Sequence, residues 1–256
     1  MKKQIPNLIT LCNLLCGVLA CMMALLGTTP DPTANPVFDA SIGIAIAAFF
    51  IVSGIFFDFF DGLTARALKV PSPLGKELDS LADVVTSGVA PGLILWVYLN
   101  RVCQLEMLAF VALLIPLFSA YRLAKFNIDT RQSHSFVGLP TPANALIWVS
   151  LAFWNLSCLC GETLFPHIVI NIGNTATAGY IVAGLSILLN ILLVCELPMF
   201  SLKIRNLTWK DNKLRYIFII GCIALIVLFG AIGIAFSILW YIVLSILTQK
   251  KGAENE

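Results

Sequence analysis

Long apolar runs, each close to the length of a membrane-spanning helix, most limit what this chain can fold into. A helix rises about 1.5 Å per residue, so roughly 20 apolar residues cross the hydrocarbon core of a bilayer. With 59% hydrophobic and only 12% charged residues, the chain lies outside the composition of soluble globular domains. The runs occupy residues 8–26, 40–57, 84–99, 107–120, 143–159, 176–195 and 216–247.

The last of these runs is too long for a single crossing, since it would make about 48 Å of helix. Gly230 and Gly233 lie inside it and offer a place for the chain to turn. The sequence therefore predicts an all-α membrane bundle of about eight transmembrane helices. No long linker, repeat or low-complexity tract interrupts it, which indicates one domain over residues 1–256.

The basic residues lie in alternate loops, as expected when cytoplasmic loops collect lysine and arginine. With the N-terminus inside, every lysine and arginine except Arg101 falls on the cytoplasmic side. Both termini are therefore predicted to face the cytoplasm. Because the basic residues follow the topology and do not gather into a groove, we expect no nucleic-acid partner.

Four aspartates lie at the ends of two neighbouring apolar runs, where ionisable side chains are costly and commonly functional. Asp58 and Asp61 are three residues apart and Asp79 and Asp83 four apart, so each pair shares one helical face. Helix-breaking residues between the pairs predict a hairpin that brings them together: Gly62, Pro71, Pro73 and Gly75. Four adjacent carboxylates would suit Mg²⁺ or Mn²⁺. Alternatively, one or two of them are helix caps or surface charges.

The same segment carries a longer motif, Asp58-x2-Asp61-Gly62-x2-Ala65-Arg66-x8-Gly75-x3-Asp79-x3-Asp83. It resembles the signature of the CDP-alcohol phosphotransferase family at all eight fixed positions. The resemblance implies transfer of a phosphatidyl-type group from a CDP-linked donor to an alcohol, with release of CMP.

The resemblance also implies a role for each residue of the motif. Two divalent ions are expected on Asp58, Asp61 and Asp79, while Asp83 is the expected general base and lies near enough to contribute to the metal site. The residues expected to bind the CDP-lipid are Gly62, Ala65, Arg66 and Gly75. For the small residues, close helix packing is an equal alternative.

Three further segments, residues 6–13, 121–127 and 136–143, resemble those of bacterial and archaeal phosphatidylserine synthases. The implied substrates are L-serine and CDP-diacylglycerol or its archaeal analogue, and a homodimer is implied as well. Arg122 and Lys125 are expected to bind the serine carboxylate, although Lys125 stands where that family is expected to have arginine. The alternative for both is ordinary anchoring at the cytoplasmic face.

The first helix presents Asn7, Thr10 and Asn13 on one face, where amide and hydroxyl groups would bind nucleotide or phosphate. Asn7 is alternatively a helix N-cap. The expected active site lies on the cytoplasmic side of the cell membrane.

Two other functions stay open at this point. A same-family enzyme would use glycerol phosphate or inositol phosphate as the acceptor, and the motif itself does not choose between these and serine. An ion-coupled transporter would use buried aspartates too, but no duplicated copy of the cluster is present in the sequence.

Overall fold

A computed structural model describes residues 4–27, 36–70, 72–128, 136–160, 175–199 and 209–253. The helices are α1 Ile5–Leu26, α2 Pro36–Ala67, α3 Pro73–Asp83, α4 Ala90–Val97, α5 Glu106–Ala109, α6 Leu114–Ile128, α7 Thr141–Cys160, α8 Thr175–Val194, α9 Trp209–Phe229 and α10 Ile232–Ala253. The π-helical segments Val84–Val89 and Tyr98–Val102 follow α3 and α4, and a 3-10 segment, Phe110–Leu113, joins α5 to α6. The strands are β1 Phe136–Val137 and β2 Pro198–Met199.

Six helical segments of the described chain are long and apolar enough to cross a membrane. They are Ile5–Leu26, Asp39–Ala67, Pro73–Val102, Glu106–Ile128, Ala176–Val194 and Asn212–Phe229. The stretch Ile232–Leu247 is a shorter apolar helix, and α7 is a further helix of 20 residues. The protein is therefore an integral membrane protein built as a helical bundle.

A turn divides the long C-terminal apolar run where the glycines predicted it. Helix α9 ends at Phe229 and α10 begins at Ile232. Gly230 adopts a φ of 61°, a left-handed conformation that glycine reaches without steric cost. Two short helices then lie side by side in place of one that would be too long for the bilayer.

A short pair of strands departs from the all-α expectation. β1 pairs antiparallel with β2, with Phe136 opposite Met199 and Val137 opposite Pro198. The pair ties the segment before α7 to the segment after α8. Such brief pairing has too little periodic signal to be read from sequence.

The hairpin that carries the motif differs from its predicted form, because α2 continues past Gly62 to Ala67. Its end is closed by two backbone bonds, from Val70 N–H to Ala65 C=O at 3.0 Å and from Lys69 N–H to Arg66 C=O at 3.1 Å. This is a Schellman arrangement, in which Lys69 takes the left-handed conformation at φ 55°. The predicted helix breaker Gly62 is therefore helical, while Pro71 lies outside the described residues.

Helix α3 begins immediately after this turn. The Ser72 side chain accepts a hydrogen bond from Gly75 N–H at 3.0 Å, and Pro73 occupies the first turn, where its missing N–H costs nothing. The charge-free third run begins only at residue 84, because the residues of α3 before it include the charged side chains Lys76, Glu77, Asp79 and Asp83. Since the turn is short, Asp58 and Asp61 of α2 lie at the same end of the bundle as Asp79 and Asp83 of α3.

The π-helical segment Val84–Val89 packs closely against the first two helices. Thr86 donates a hydrogen bond to the Asn13 carbonyl oxygen at 3.1 Å. A Cβ added at Gly17 or Gly54 would come within 2.5 Å of the Thr86 side chain, so these glycines form the hole that receives it. This contact fixes α1, α2 and the end of α3 relative to one another beside the motif.

Candidate active site

Three carboxylates from two helices converge at one end of the bundle. Asp58 and Asp61 of α2 and Asp79 of α3 each offer an oxygen, and these oxygens lie within 4.8 Å of one another. Asp61 is only 6% exposed. The Asp79 Oδ1 atom is buried and has no hydrogen-bond partner among the described residues.

This arrangement fits a divalent metal ion. Carboxylate oxygens are the ligands that Mg²⁺ and Mn²⁺ prefer, and a buried oxygen without a partner leaves room for a cation as that partner. Three close negative charges with no cation between them would also repel one another. The cluster can therefore hold a metal.

Asp83 lies beside this cluster but is not one of the three converging carboxylates. It is the last residue of α3, is 8% exposed, and its Oδ1 atom accepts a hydrogen bond from Asn13 Nδ2 at 3.3 Å. The structure thus separates one carboxylate from a group of three. That separation allows Asp83 a different chemical task from its neighbours.

Helix α1 holds two of the aspartates in place. The Thr10 hydroxyl donates to Asp61 Oδ2 at 2.5 Å, and the Asn13 amide donates to Asp83. Both α1 side chains are buried. The sequence predicted that they bind nucleotide or phosphate, which stays a prediction; their contacts in the structure are to the carboxylates. The three-residue spacing of Thr10 and Asn13 was the available signal for this supporting role.

Asn7 lies one turn earlier, at the start of the same helix. The alternative that it is an N-cap is wrong, because Gln4 occupies the cap position and Asn7 lies within the helix. Its Nδ2 donates to Gln4 Oε1 at 3.3 Å. A Cβ at Gly75 would lie 3.2 Å from Asn7 Oδ1 and 3.0 Å from Ser72 Oγ, so close packing already accounts for glycine there.

Gly62 lies in a different environment from Gly75. The nearest atom to a Cβ added at Gly62 is Arg66 Nη2, at 3.8 Å, so the described protein leaves the space above this glycine open. Ala65 is partly buried, and Arg66 is exposed on the last turn of α2. Packing explains Gly75, whereas the open surface beside the exposed Arg66 guanidinium group at Gly62 leaves room for a ligand.

Arg122 is the buried cation of the site. It lies on α6, is 8% exposed, and its Nη1 donates to Thr141 Oγ1 at 3.1 Å. Its Nε has no partner among the described residues. The guanidinium group also interacts electrostatically with the Asp83 carboxylate. A buried cation therefore lies within electrostatic range of the Asp83 carboxylate.

Lys125, one turn further along α6, has a different partner. Its Nζ lies 3.1 Å from Glu196 Oε1, and both side chains are partly exposed, at 32% and 62%. An exposed pair of this kind contributes about 0–1 kcal/mol, so it is a weak restraint on where Lys125 points. The predicted contact of Lys125 with serine stays a prediction. Arg131, another basic residue of this region, lies outside the described residues.

Comparison with known proteins agrees with the motif. The family model of CDP-alcohol phosphatidyltransferases matches residues 3–248. The CDP-diacylglycerol–serine O-phosphatidyltransferase of Bacillus subtilis is 37% identical over 152 residues, which cover 59% of this chain and 76% of that protein. The enzyme of the same name from Helicobacter pylori strain J99 is 36% identical over 146 residues, or 56% of this chain and 55% of that protein.

An archaeal protein of the same name, from Methanocaldococcus jannaschii, is 42% identical over 99 residues, which cover 39% of this chain and 46% of that protein. The chain thus spans about half the length of the Helicobacter and Methanocaldococcus relatives and about three quarters of the Bacillus one. Because the family model covers nearly the whole sequence, the match is not confined to the aspartate motif. This chain belongs to the CDP-alcohol phosphatidyltransferase family.

Proposed function

We propose that this protein is a phosphatidylserine synthase, which transfers a phosphatidyl group from CDP-diacylglycerol to the hydroxyl of L-serine and releases CMP. The observation that carries the proposal is the position of Asp83, outside the three-carboxylate cluster and within electrostatic range of the buried Arg122. A base beside a buried cation suits an acceptor that has both a hydroxyl and a carboxylate. The names of the relatives from three organisms support the same acceptor.

The bond changes follow from that arrangement. The serine hydroxyl oxygen attacks the phosphorus attached to the lipid, the bond from that phosphorus to the CMP oxygen breaks, and CMP departs with the bonding electrons. Asp83 accepts the hydroxyl proton as the new bond forms. Asn13 orients the Asp83 carboxylate, and Arg122 is placed to bind the serine carboxylate as a charge-assisted partner.

Asp58, Asp61 and Asp79 would hold the metal, with two Mg²⁺ or Mn²⁺ ions proposed and Asp83 near enough to contribute. When bound, such ions would neutralise the charge of the pyrophosphate and of the departing CMP. Thr10 keeps the Asp61 carboxylate oriented for this purpose. The open surface over Gly62, next to Ala65 and Arg66, is the proposed place for the nucleotide of the donor.

The proposed topology has eight membrane crossings, with both termini and the active site on the cytoplasmic side of the cell membrane. It is supported by the distribution of basic residues and by the turn at Gly230. We also propose that the chain is a single catalytic domain over residues 1–256 and that it works as a homodimer. The donor is proposed to enter from the membrane with its CDP group at the carboxylate end of the bundle.

Acceptor competition tests the proposed function directly. Purified protein is given CDP-diacylglycerol and Mg²⁺ or Mn²⁺, and CMP release is compared for serine, glycerol phosphate, inositol and inositol phosphate. Serine is expected to support release, because the one deeply buried cation described at this site, Arg122, suits a single carboxylate better than a phosphate dianion. CMP release with a phosphorylated polyol but none with serine would overturn the choice of acceptor. No CMP release with any acceptor would favour a transporter.

A further inference from the structure

Three polar side chains lie buried just inside the bundle from Asp83 and Arg122. They are Ser87 in the π-helical segment, Ser119 on α6 and Asn144 on α7, and each is 0% exposed. The hydroxyl oxygens of both serines, and both the amide nitrogen and oxygen of Asn144, have no hydrogen-bond partner among the described residues. The mechanism above uses none of these groups.

Helix geometry places the three side chains in one layer. Ser87 follows Asp83 by four residues, Ser119 precedes Arg122 by three, and Asn144 follows Thr141 by three. Each is therefore about one helical turn deeper than its neighbour at the mouth of the site. Arg122 and Thr141 are hydrogen-bonded across α6 and α7, so these two residues lie at the same level of the bundle.

Packing between α6 and the π-helical segment brings two of these residues close together. A Cβ added at Gly88 would lie 3.1 Å from Ser119 Cβ and 3.5 Å from Ser119 Oγ. Ser119 therefore lies against the backbone next to Ser87. A π-helical turn at this point is notable because such turns recur at functional sites, where they redirect side chains.

Unpaired polar groups buried inside a membrane bundle are costly, because neither water nor lipid is available to replace the missing hydrogen bonds. Buried polar side chains in proteins are nearly always paired with protein or with a bound molecule. Asn144 has four unmet hydrogen-bonding positions, two donors on nitrogen and two acceptors on oxygen. A layer with several unmet groups beside a buried arginine is thus suited to receive a small, highly polar ligand.

We propose that Asn144, with Ser87 and Ser119, forms the floor of the acceptor pocket and binds the α-ammonium group of the amino-acid substrate. This inference rests on the proposed function. With the substrate hydroxyl at Asp83 and its carboxylate at Arg122, the ammonium group is directed one turn deeper, toward the floor. Asn144 Oδ1 and the serine hydroxyl oxygens accept its three hydrogens. The oxygen atoms of these neutral side chains can accept hydrogen bonds from an ammonium group. A phosphorylated polyol has no ammonium group, so the floor favours an amino acid over it.

Kinetics of Asn144→Ala with each substrate test the pocket. The KM for serine is expected to rise roughly 10- to 100-fold, as for loss of a hydrogen bond to a charged group, while the KM for CDP-diacylglycerol changes less than about twofold. Ser87→Ala and Ser119→Ala, which remove one oxygen each and leave the fold close to unchanged, are expected to raise the KM for serine in the same direction. If Asn144→Ala does not fold, these two variants decide the matter.

A matched control is available on the same helix. Asn155 is also buried on α7, but its Nδ2 already donates to Ser41 Oγ at 2.8 Å. Asn155→Ala is expected to lower the thermal unfolding temperature and to leave the KM for serine unchanged. A purely structural role for Asn144 would make the two variants behave alike.

A substrate analogue separates binding of the ammonium group from general damage. 3-Hydroxypropionate keeps the hydroxyl and the carboxylate of serine but lacks the ammonium group. Its inhibition constant against serine should be the same in the unmodified enzyme and in Asn144→Ala. An equal loss for serine and for this analogue, or an unchanged KM for serine in all three variants, would overturn the pocket while leaving the proposed function intact. Failure of the unmodified enzyme to release CMP with serine would overturn both.

Discussion

The aspartates of the site accept hydrogen bonds from different side chains of α1. Asp61 is bonded by the Thr10 hydroxyl and belongs to the group of three, whereas Asp83 is bonded by the Asn13 amide and lies outside it. An amide that donates to a carboxylate leaves its other oxygen free to accept a proton. This difference supports the proposed roles of Asp83 as the base and of Asp61 as a metal ligand.

Changing Asp83 to asparagine should remove the base without removing the cluster. Turnover is expected to fall about 10²- to 10⁴-fold, since an amide cannot take the hydroxyl proton at neutral pH. Binding of CDP-diacylglycerol, measured by titration calorimetry in the presence of Mg²⁺, should be retained. Asp61→Asn is the contrasting variant, because loss of a ligand weakens metal and donor binding together. Near-normal turnover in Asp83→Asn would require the base to be another carboxylate of the cluster.

Thr10→Val should weaken metal binding although Thr10 is not one of the three converging carboxylates. The variant removes the hydroxyl that orients Asp61 and keeps the shape of the side chain, so the change is electrostatic and positional. Supporting bonds of this type typically contribute 10- to 100-fold in metal affinity. The Mg²⁺ or Mn²⁺ concentration for half-maximal activity should rise by about that factor. Thr10→Ser restores the hydroxyl and should recover most of the lost metal affinity. If Thr10→Val and the unmodified enzyme need the same metal concentration, Thr10 does not orient a metal ligand.

The four aspartates could be found from sequence, but their partners could not. Spacing of three and four residues is a local property, so it is visible in the printed chain. By contrast, Thr10 reaches Asp61 across 51 residues and Asn13 reaches Asp83 across 70. Contacts of this kind depend on how α1 lies against α2 and α3. Without that arrangement, an amide on α1 is equally consistent with nucleotide binding.

At the scale of elements, the first three helices are held by small residues at their crossing. Thr86 fills the hole at Gly17 and Gly54, and its hydroxyl bonds the Asn13 carbonyl oxygen. The same contact therefore joins packing to the site, since the Asn13 side chain holds Asp83. Glycine is needed here for close approach of helices, as is common in membrane bundles.

Gly54→Ala should push α2 away from α1 and from the segment that carries Thr86. The added Cβ would lie 2.5 Å from Thr86 Cγ2 and 2.8 Å from Asn13 Oδ1, so either α2 or both side chains must move. Such overpacking typically costs about 1–3 kcal/mol, and the unfolding temperature in detergent should fall. Gly184→Ala is the matched control, because nothing lies within 4 Å of its added Cβ and alanine favours a helix. Equal unfolding temperatures for the two variants would show that the crossing is not tight.

The ends of the elements were harder to predict than their existence. The apolar runs located the helices, because a helix that crosses the hydrocarbon core needs an almost unbroken apolar stretch. Both α2 and α3 extend beyond these runs, because charged residues, including the four aspartates, lie in the extensions. Gly62 seemed a helix breaker, yet hydrogen bonds on both sides of it carry α2 on to a cap at Lys69. A cap of that kind usually has glycine at this position, so its lysine gives no sequence signal.

For the whole molecule, the charge pattern and the fold agree on where chemistry can take place. The carboxylate cluster lies where α2 turns into α3, between two helical segments of 29 and 30 residues. Both exceed the roughly 20 residues needed to cross a bilayer core, so the helices extend beyond the hydrocarbon at one end. We therefore propose that the site lies at the membrane boundary, where a lipid-linked donor and a water-soluble acceptor can meet.

The number of crossings depends on α9 and α10, and thiol labelling can determine it. In a background with the eight native cysteines changed to alanine, single cysteines are introduced as Arg101→Cys, Ala231→Cys and Lys251→Cys. Intact cells are treated with a membrane-impermeant thiol reagent before and after permeabilisation. Arg101→Cys serves as the control for the outer face.

The turn at Gly230 places Ala231 between two helices that run in opposite directions. If α9 and α10 each cross the membrane, Ala231→Cys should react in intact cells, as Arg101→Cys does, and Lys251→Cys only after permeabilisation. The reason is that one short helix carries the chain outward and the next returns it, which keeps the basic C-terminal residues in the cytoplasm. Reaction of Lys251→Cys in intact cells would leave an odd number of crossings. Protection of Ala231→Cys would mean that α9 and α10 do not span the bilayer, so either result would refute eight.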